Sequence, residues 1–404
     1  MPERAATVLA ALLLAMCAAA AVVSARLAWA ERLLAEGTPT SVRRSLDLAP
    51  GNARAWERRA ALEPDQAEPS LRRAVGLNPY STAARIDLGL RAEFAGNRRE
   101  AEQLLLAAFR QDRMYLTRWT LANFYFRSGD EANFWRWVRA AAEFSHGSLS
   151  PLFDLCHRMS PDATVVLGGA IPPRAAVLQE YLVYLLSTGR LDATGEAVTR
   201  LAAFRRPEDR PTLLAVVDRS LAAGEPTRAI AVWNQLAASG LLPYPALDPG
   251  RGSSLTNGGF AFPPLGLGFD WRPAWNPEAF VSGNRVEFSG RQLDRTEVLW
   301  QPIPVQPRAS YTLHYRYSTT RFPSQSGLRW HLLDARTRQP LATPSPSLSS
   351  EDEREQTWRF QVPASASLAH LSLLYQREPG TARLQGAIEL VSVRLSLDDP
   401  AQRP

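Results

Sequence analysis

The chain has 404 residues, 45% hydrophobic and 21% charged, a balance that excludes disorder as the main state and leads us to expect two folded parts. All 46 basic residues are arginine, so a phosphate-loop lysine, a pyridoxal Schiff base and a catalytic lysine are excluded. The net charge of +6 is evenly spread, with 28 Arg against 25 Asp plus Glu in residues 26–250 and 17 against 14 in residues 251–404; neither half is a basic domain, and no nucleic acid is expected as a partner.

From Ala5 to Ala25 there are 21 residues without a charge, which as a helix would span roughly 31 Å, the hydrocarbon thickness of a bilayer. Ten of them are alanine, and a small-x-small site stands at Ala28-Trp29-Ala30, so a cleaved signal competes with a lasting anchor. The site lies behind Arg26 and behind an apolar stretch longer than a usual signal core, which favours an uncleaved anchor over residues 1–30. Met16 before Cys17 disfavours lipidation. With Arg4 on the short side, the orientation expected is a single pass of the cytoplasmic membrane with the bulk of the chain on the periplasmic side.

Residues 31–245 read as amphipathic helices broken by Gly, Asn-Pro or Ala-Pro, in a repeating register. Leu88-Gly89, Ala92, Gly96, Ala101, Leu105 and Ala108 are followed thirty-three positions later by Leu121-Ala122, Tyr125, Gly129, Phe134, Val138 and Ala141. A further copy runs through Val216-Val217, Ser220, Gly224, Ala229, Trp233 and Leu236, and a looser one surrounds Gly189. Here the chain resembles the tetratricopeptide repeat family. The resemblance implies an all-α solenoid with a concave groove that binds protein rather than a catalyst. It departs from the family pattern at Phe134, where alanine is usual, and in the segment from Ser145 to Arg174, whose Gly and Pro breaks interrupt the repeat. Aromatic residues crowd positions 119–137; most should be core, but Trp135 and Trp137 cannot share one helix face, and these two are the candidates for a protein-binding groove. Cys156 reads as a small buried apolar residue and His146 with His157 as no metal pair, so neither metal nor cofactor is expected.

After Pro243 the composition turns to Pro, Gly, Ser and Asn, and the helical period disappears. Seven alternating runs follow, at 285–289, 297–301, 311–318, 327–333, 357–362, 370–376 and 387–397, which predict an all-β sandwich or barrel over residues 250–399 with its own core. Alternation puts Tyr311, Leu313, Tyr315 and Tyr317 inward, together with Leu328, Trp330 and Leu332, and with Trp358, Phe360 and Val362. Leu255-Thr256-Asn257-Gly258-Gly259-Phe260, Phe269-Asp270-Trp271-Arg272, Gln356-Thr357-Trp358-Arg359-Phe360 and Ile388-Glu389-Leu390-Val391 resemble the galactose-binding-like, jelly-roll carbohydrate-binding modules. The resemblance implies a sheet face or loop rim that holds sugars, in some members with a structural calcium, for which Asp270 with Asp398 or Asp399 would be the oxygen donors.

A sugar needs an exposed aromatic plane with polar groups beside it. The candidates are Trp271, Arg272 and Trp275, outside the regular alternation, and the polar-parity residues His314, Arg316, Arg329 and His331. The alternative is that Trp271 plugs one end of the sandwich and the Arg/His row is merely solvated. No Gly-x-Ser-x-Gly or His-Glu-x-x-His signature occurs, so an enzyme, for instance a glycoside hydrolase, ranks below a binding protein. The expectation is thus a non-catalytic envelope scaffold with protein partners on its repeats and a polysaccharide on its sandwich, in polysaccharide assembly or export, with a purely protein-binding adaptor as the alternative.

Overall fold

The computed structural model describes residues 2–145 and 147–398; His146 and Asp399 lie outside them. It forms two compact units, Met1–Pro172 and Pro173–Pro404.

The first unit is helical throughout: α1 (Pro2–Glu36), α2 (Pro39–Leu48), α3 (Ala53–Leu62), α4 (Ala67–Leu77), α5 (Thr82–Phe94), α6 (Arg98–Gln111), α7 (Tyr115–Ser128), α8 (Glu131–Glu143), α9 (Ser150–Met159) and α10 (Ala163–Gly169). Consecutive helices pack in pairs, and polar caps mark where each begins: Thr38 and Ser41 form a reciprocal capping box, while Asn52, Ser81 and Asp130 accept from backbone amides two residues into α3, α5 and α8. Gly96 and Gly129 turn between paired helices at φ of 83° and 68°, where a side chain would be strained. The repeat register has a packing cause at Gly89, where an added Cβ would stand 2.8 Å from Leu105; only a small residue there lets α5 and α6 approach so closely. Ala122 and Val138 repeat that pairing one period later, both fully buried. Phe134 is buried against Phe126 and Trp135, so α8 fills with an aromatic ring what alanine would leave thin. The breaks between Ser145 and Arg174 become the short helices α9 and α10, and the compact units divide immediately after them.

The second unit opens with two more pairs, α11 (Ala175–Ser187) with α12 (Thr194–Ala202) and α13 (Arg210–Ala222) with α14 (Pro226–Ala238). Its strands are β1 (Arg272–Pro273), β2 (Ala279–Ser282), β3 (Arg285–Ser289), β4 (Arg295–Pro304), β5 (Ser310–Thr320), β6 (Leu328–Asp334), β7 (Arg354–Gln361), β8 (Leu368–Gln376) and β9 (Gln385–Leu397). They build an antiparallel four-stranded sheet, β1-β4-β8-β6, and an antiparallel five-stranded sheet, β2-β3-β9-β5-β7. The two close on one apolar core that includes Tyr311, Leu313, Tyr315, Tyr317, Leu328, Trp330, Leu332, Trp358, Phe360 and Val362, the residues that period-2 alternation points inward. The four-stranded sheet ends at β6, whose carbonyls at Leu332, Trp330 and Leu328 accept from the amides of Leu341, Ser345 and Leu348 at 2.8, 2.9 and 2.9 Å. A strip of irregular chain therefore covers that edge.

Helix gives way to strand between Ala238 and Arg272, and the joining chain is packed down. Tyr244 stacks on Trp233 of α14 with ring centroids 5.8 Å apart and Phe269 meets the same indole edge-on at 5.7 Å. Asn234 clamps Leu247 through both its amide hydrogen and its carbonyl. Gly268, at φ of 60°, lies so close to Trp233 that a Cβ would stand 2.3 Å from the ring, which makes glycine obligatory.

Candidate functional site

Trp271 and Arg272 belong to this joint. Trp271 is fully buried, stacked on Phe260 and tilted against Trp330, and its indole N–H donates to the Asn257 carbonyl at 3.2 Å. No face is open to a sugar ring, so the expected stacking role fails: the residue is part of the sandwich core. Arg272 donates to Asp218 of α13 at 2.5 Å and to the Gly268 carbonyl at 2.8 Å. Both bonds come from one terminal nitrogen, Nη2, and tie α13 to the sandwich, while the buried Nε has no hydrogen-bond partner. Asp270 accepts from the Tyr244 hydroxyl and the Leu265 amide, both at 2.7 Å, while Asp398 accepts from Thr312 at 2.7 Å. These two carboxylates serve separate structural bonds.

The polar-parity row divides between the two sheets. His314 and Arg316 lie on β5 of the five-stranded sheet and Arg329 and His331 on β6 of the other, so each pair faces outward on the opposite side of the sandwich and the four never meet. Arg316 pairs with Glu353 at 3.5 Å, Arg329 with Glu378 at 2.7 Å, and His314 contacts Ser396 at 3.3 Å.

The outer face of the four-stranded sheet carries a cluster that alternation alone does not single out. The Trp300 ring has the Arg272 guanidinium 4.7 Å and the Arg338 guanidinium 5.1 Å from its centroid, with the His370 ring at 4.3 Å. Glu297 accepts from His370 Nε2 and from the Ser372 hydroxyl, each at 2.6 Å. Burial pushes the His370 pKa down despite Glu297, so the neutral imidazole donates to the carboxylate. Burial also favours protonated Glu297, but the His370 and Ser372 hydrogen bonds outweigh it and leave its pKa below the usual value. His331 is pushed down to about 4 by burial, with Arg295 and Arg329 adding to it, and its buried Nε2 has no hydrogen-bond partner. A histidine held neutral takes up its proton more readily in the unfolded chain. The sandwich should therefore keep full stability above about pH 6.5 and lose it as pH falls toward 4. Thermal melts across that range check this, and His331→Gln should flatten the slope.

Trp275 differs from all of these. It is 92% exposed, and Phe280 on the edge strand β2 is 61% exposed. With Pro273, Ala274, Asn276, Pro277 and Val281 they line one cleft of about 470 Å³. Exposed rings beside the Asn276 amide have the composition that a sugar face with equatorial hydroxyls requires.

In the first unit, Trp137 is buried edge-on against Phe109. The Trp135 ring lies where a Cβ on Gly169 would stand, 2.9 Å away, and its indole N–H meets Glu131 at 3.2 Å. Trp137 is thus spent on packing within the unit, whereas Trp135 packs on one side and stays partly exposed. The exposed apolar groups lie elsewhere: Leu90 and Phe94, one turn apart on α5, border a cleft with Pro64, Pro69, Asp65 and Asp87, and Phe94 is 97% exposed.

No family model and no curated protein matches this chain. Among solved structures, a CBM4 structure is similar over 36% of this chain and 100% of its own length, at 16% identity and a TM-score of 0.29. PilW, described as a widely conserved type IV pilus biogenesis factor, is similar over 54% of this chain and 93% of its own, at 15% identity and a TM-score of 0.26. PilF of Pseudomonas aeruginosa is similar over 54% and 90%, also at 15% and 0.26.

Proposed function

We propose that this chain is a non-catalytic scaffold of the cell envelope, held by α1 in the cytoplasmic membrane with its bulk on the periplasmic side, and that it joins protein partners to a polysaccharide during assembly or export. Thr7–Glu36 is a helix long and apolar enough to cross a bilayer, with its apolar window unburied, which supports the anchor. The Leu90 and Phe94 cleft supports a protein partner on the repeats, since exposed apolar groups gathered at one cleft mark interaction surfaces. The observation that carries the glycan reading is the ring of Trp275, solvent-facing beside Phe280 across one cleft.

Affinity electrophoresis of the full-length chain in polysaccharide-loaded gels tests it. Trp275→Ala and Phe280→Ala should each weaken retention by about 1 to 3 kcal/mol, on the scale of a buried apolar side chain, with the fold unchanged by circular dichroism. Equal mobility of parent and both variants in neutral and acidic polysaccharides would reject a glycan site here and leave the protein-binding adaptor.

A further inference from the structure

The anchor and the repeat array share one helix. α1 runs unbroken from Pro2 to Glu36, exposed from residue 7 through Trp29, and then packs against α2 with Ala30 and Leu33 buried. The Ser45 hydroxyl donates to the Ala30 carbonyl at 2.8 Å. No flexible linker separates the apolar stretch from the first helix pair, so the depth of one fixes the depth of the other.

The uncharged run ends at Ala25, and Arg26 donates through Nε to the Leu48 carbonyl at 2.5 Å. This bond ties the turn between α2 and α3 to the helix at the point where hydrocarbon gives way to headgroups. From Ala25 to Glu31 the helix rises about 9 Å, comparable with the headgroup layer of one leaflet. Trp29, 54% exposed with the Arg32 guanidinium 5.5 Å from its centroid, is an interfacial pair at the same level. Between helix and turn lies a groove of about 560 Å³. Its apolar walls are Val23, Leu27, Leu48 and Pro50, and its charges are Arg26 and Glu31.

We infer that this groove seats a phospholipid whose headgroup bears a primary amine. Arg26 has only its Nε committed, so its two terminal nitrogens are placed to take a phosphate as a fork. Glu31 lies five residues further out and holds the Asn52 amide at 2.8 Å; its remaining oxygen capacity suits an ammonium group and repels a headgroup that is purely anionic. Val23 and Leu27, each at least half exposed, offer the start of an acyl chain an apolar wall. The order of charges along the helix, cation inside and anion outside, matches phosphate followed by amine. This inference rests on α1 being a membrane anchor.

Full-length protein in nanodiscs of equal phosphatidylethanolamine, phosphatidylcholine and phosphatidylglycerol, released for native mass spectrometry, tests it. The parent should retain phosphatidylethanolamine several-fold over the other two. Arg26→Gln should lower all retention, Glu31→Gln should erase the preference for amine over choline, and Leu27→Trp, which fills the groove and leaves the Arg26 bond in place, should expel the lipid. Carbonate washing of the same membranes reports on the anchor separately: release of the protein would overturn the anchor reading. A protein that resists carbonate yet retains no lipid, or retains all three equally in parent and variants, would overturn the lipid seat alone.

Discussion

Trp271→Ala should cost the second unit about 3 to 5 kcal/mol of folding free energy, the range for deleting a buried aromatic side chain. The indole is fully buried between Phe260 and Trp330 and its N–H is bonded to Asn257, so truncation opens a cavity in the sandwich core and leaves a backbone carbonyl without its donor. Four residues on, Trp275→Ala should change stability by less than about 0.5 kcal/mol, since an exposed ring contributes little to the fold. Denaturant titration of the two variants side by side checks the contrast. Equal destabilisation would show that Trp275 is packed, and the cleft beside Phe280 would lose its standing as a site.

Cutting the chain at residue 250 should damage the sandwich, whereas cutting at residue 173 should not. A fragment of residues 250–404 lacks Asp218, Trp233 and Tyr244, so Phe269 loses the indole it packs on, the buried Asp270 carboxylate loses its Tyr244 donor, and Arg272 loses its Asp218 partner. Uncovering one aromatic side chain and taking the Tyr244 donor from a buried carboxylate should together cost roughly 3 to 5 kcal/mol, a large share of what holds a domain of this size together. Residues 173–404 keep every one of these contacts. The longer fragment should melt in one cooperative step and the shorter one at markedly lower temperature, or precipitate; equal melting temperatures would show that α13 and α14 contribute nothing to the sandwich.

Local patterns were readable from the sequence because their causes are local. The Gly96 and Gly129 register marks turns at positive φ, Gly89 marks a close approach to the next helix, and the alternation through 311–317 and 328–332 marks inward faces; each depends on the same or the adjacent element. What stayed hidden depends on partners far along the chain. His314 and Arg329 each alternate with the inward residues of their own strand, but alternation carries no record of which sheet a strand joins, and β5 and β6 join different ones. Trp271 and Trp275 sit in one Pro-containing segment, and only contacts with Phe260 and Trp330 decide that the first is buried. The Trp300 cluster gathers Arg272, Glu297, Arg338 and His370 from four stretches of chain. One side of Trp135 packs against Gly169, thirty-four residues on. A signal for Phe94 did exist: a phenylalanine next to the Gly96 turn, outside the repeat's apolar register.

The strip from Leu341 to Leu348 along β6 bears on how copies of this protein behave beside one another. An open sheet edge offers unpaired amides and carbonyls to any neighbouring strand, and proteins confined to one surface meet at high local density. At β6 the carbonyls of Leu328, Trp330 and Leu332 are already engaged within the same chain, so growth of a shared sheet through that side is blocked. The five-stranded sheet ends at β2 and β7, and of these β2 carries the exposed Phe280. Misassembly under heat or overproduction should thus begin there, with β2 as the seed of intermolecular pairing.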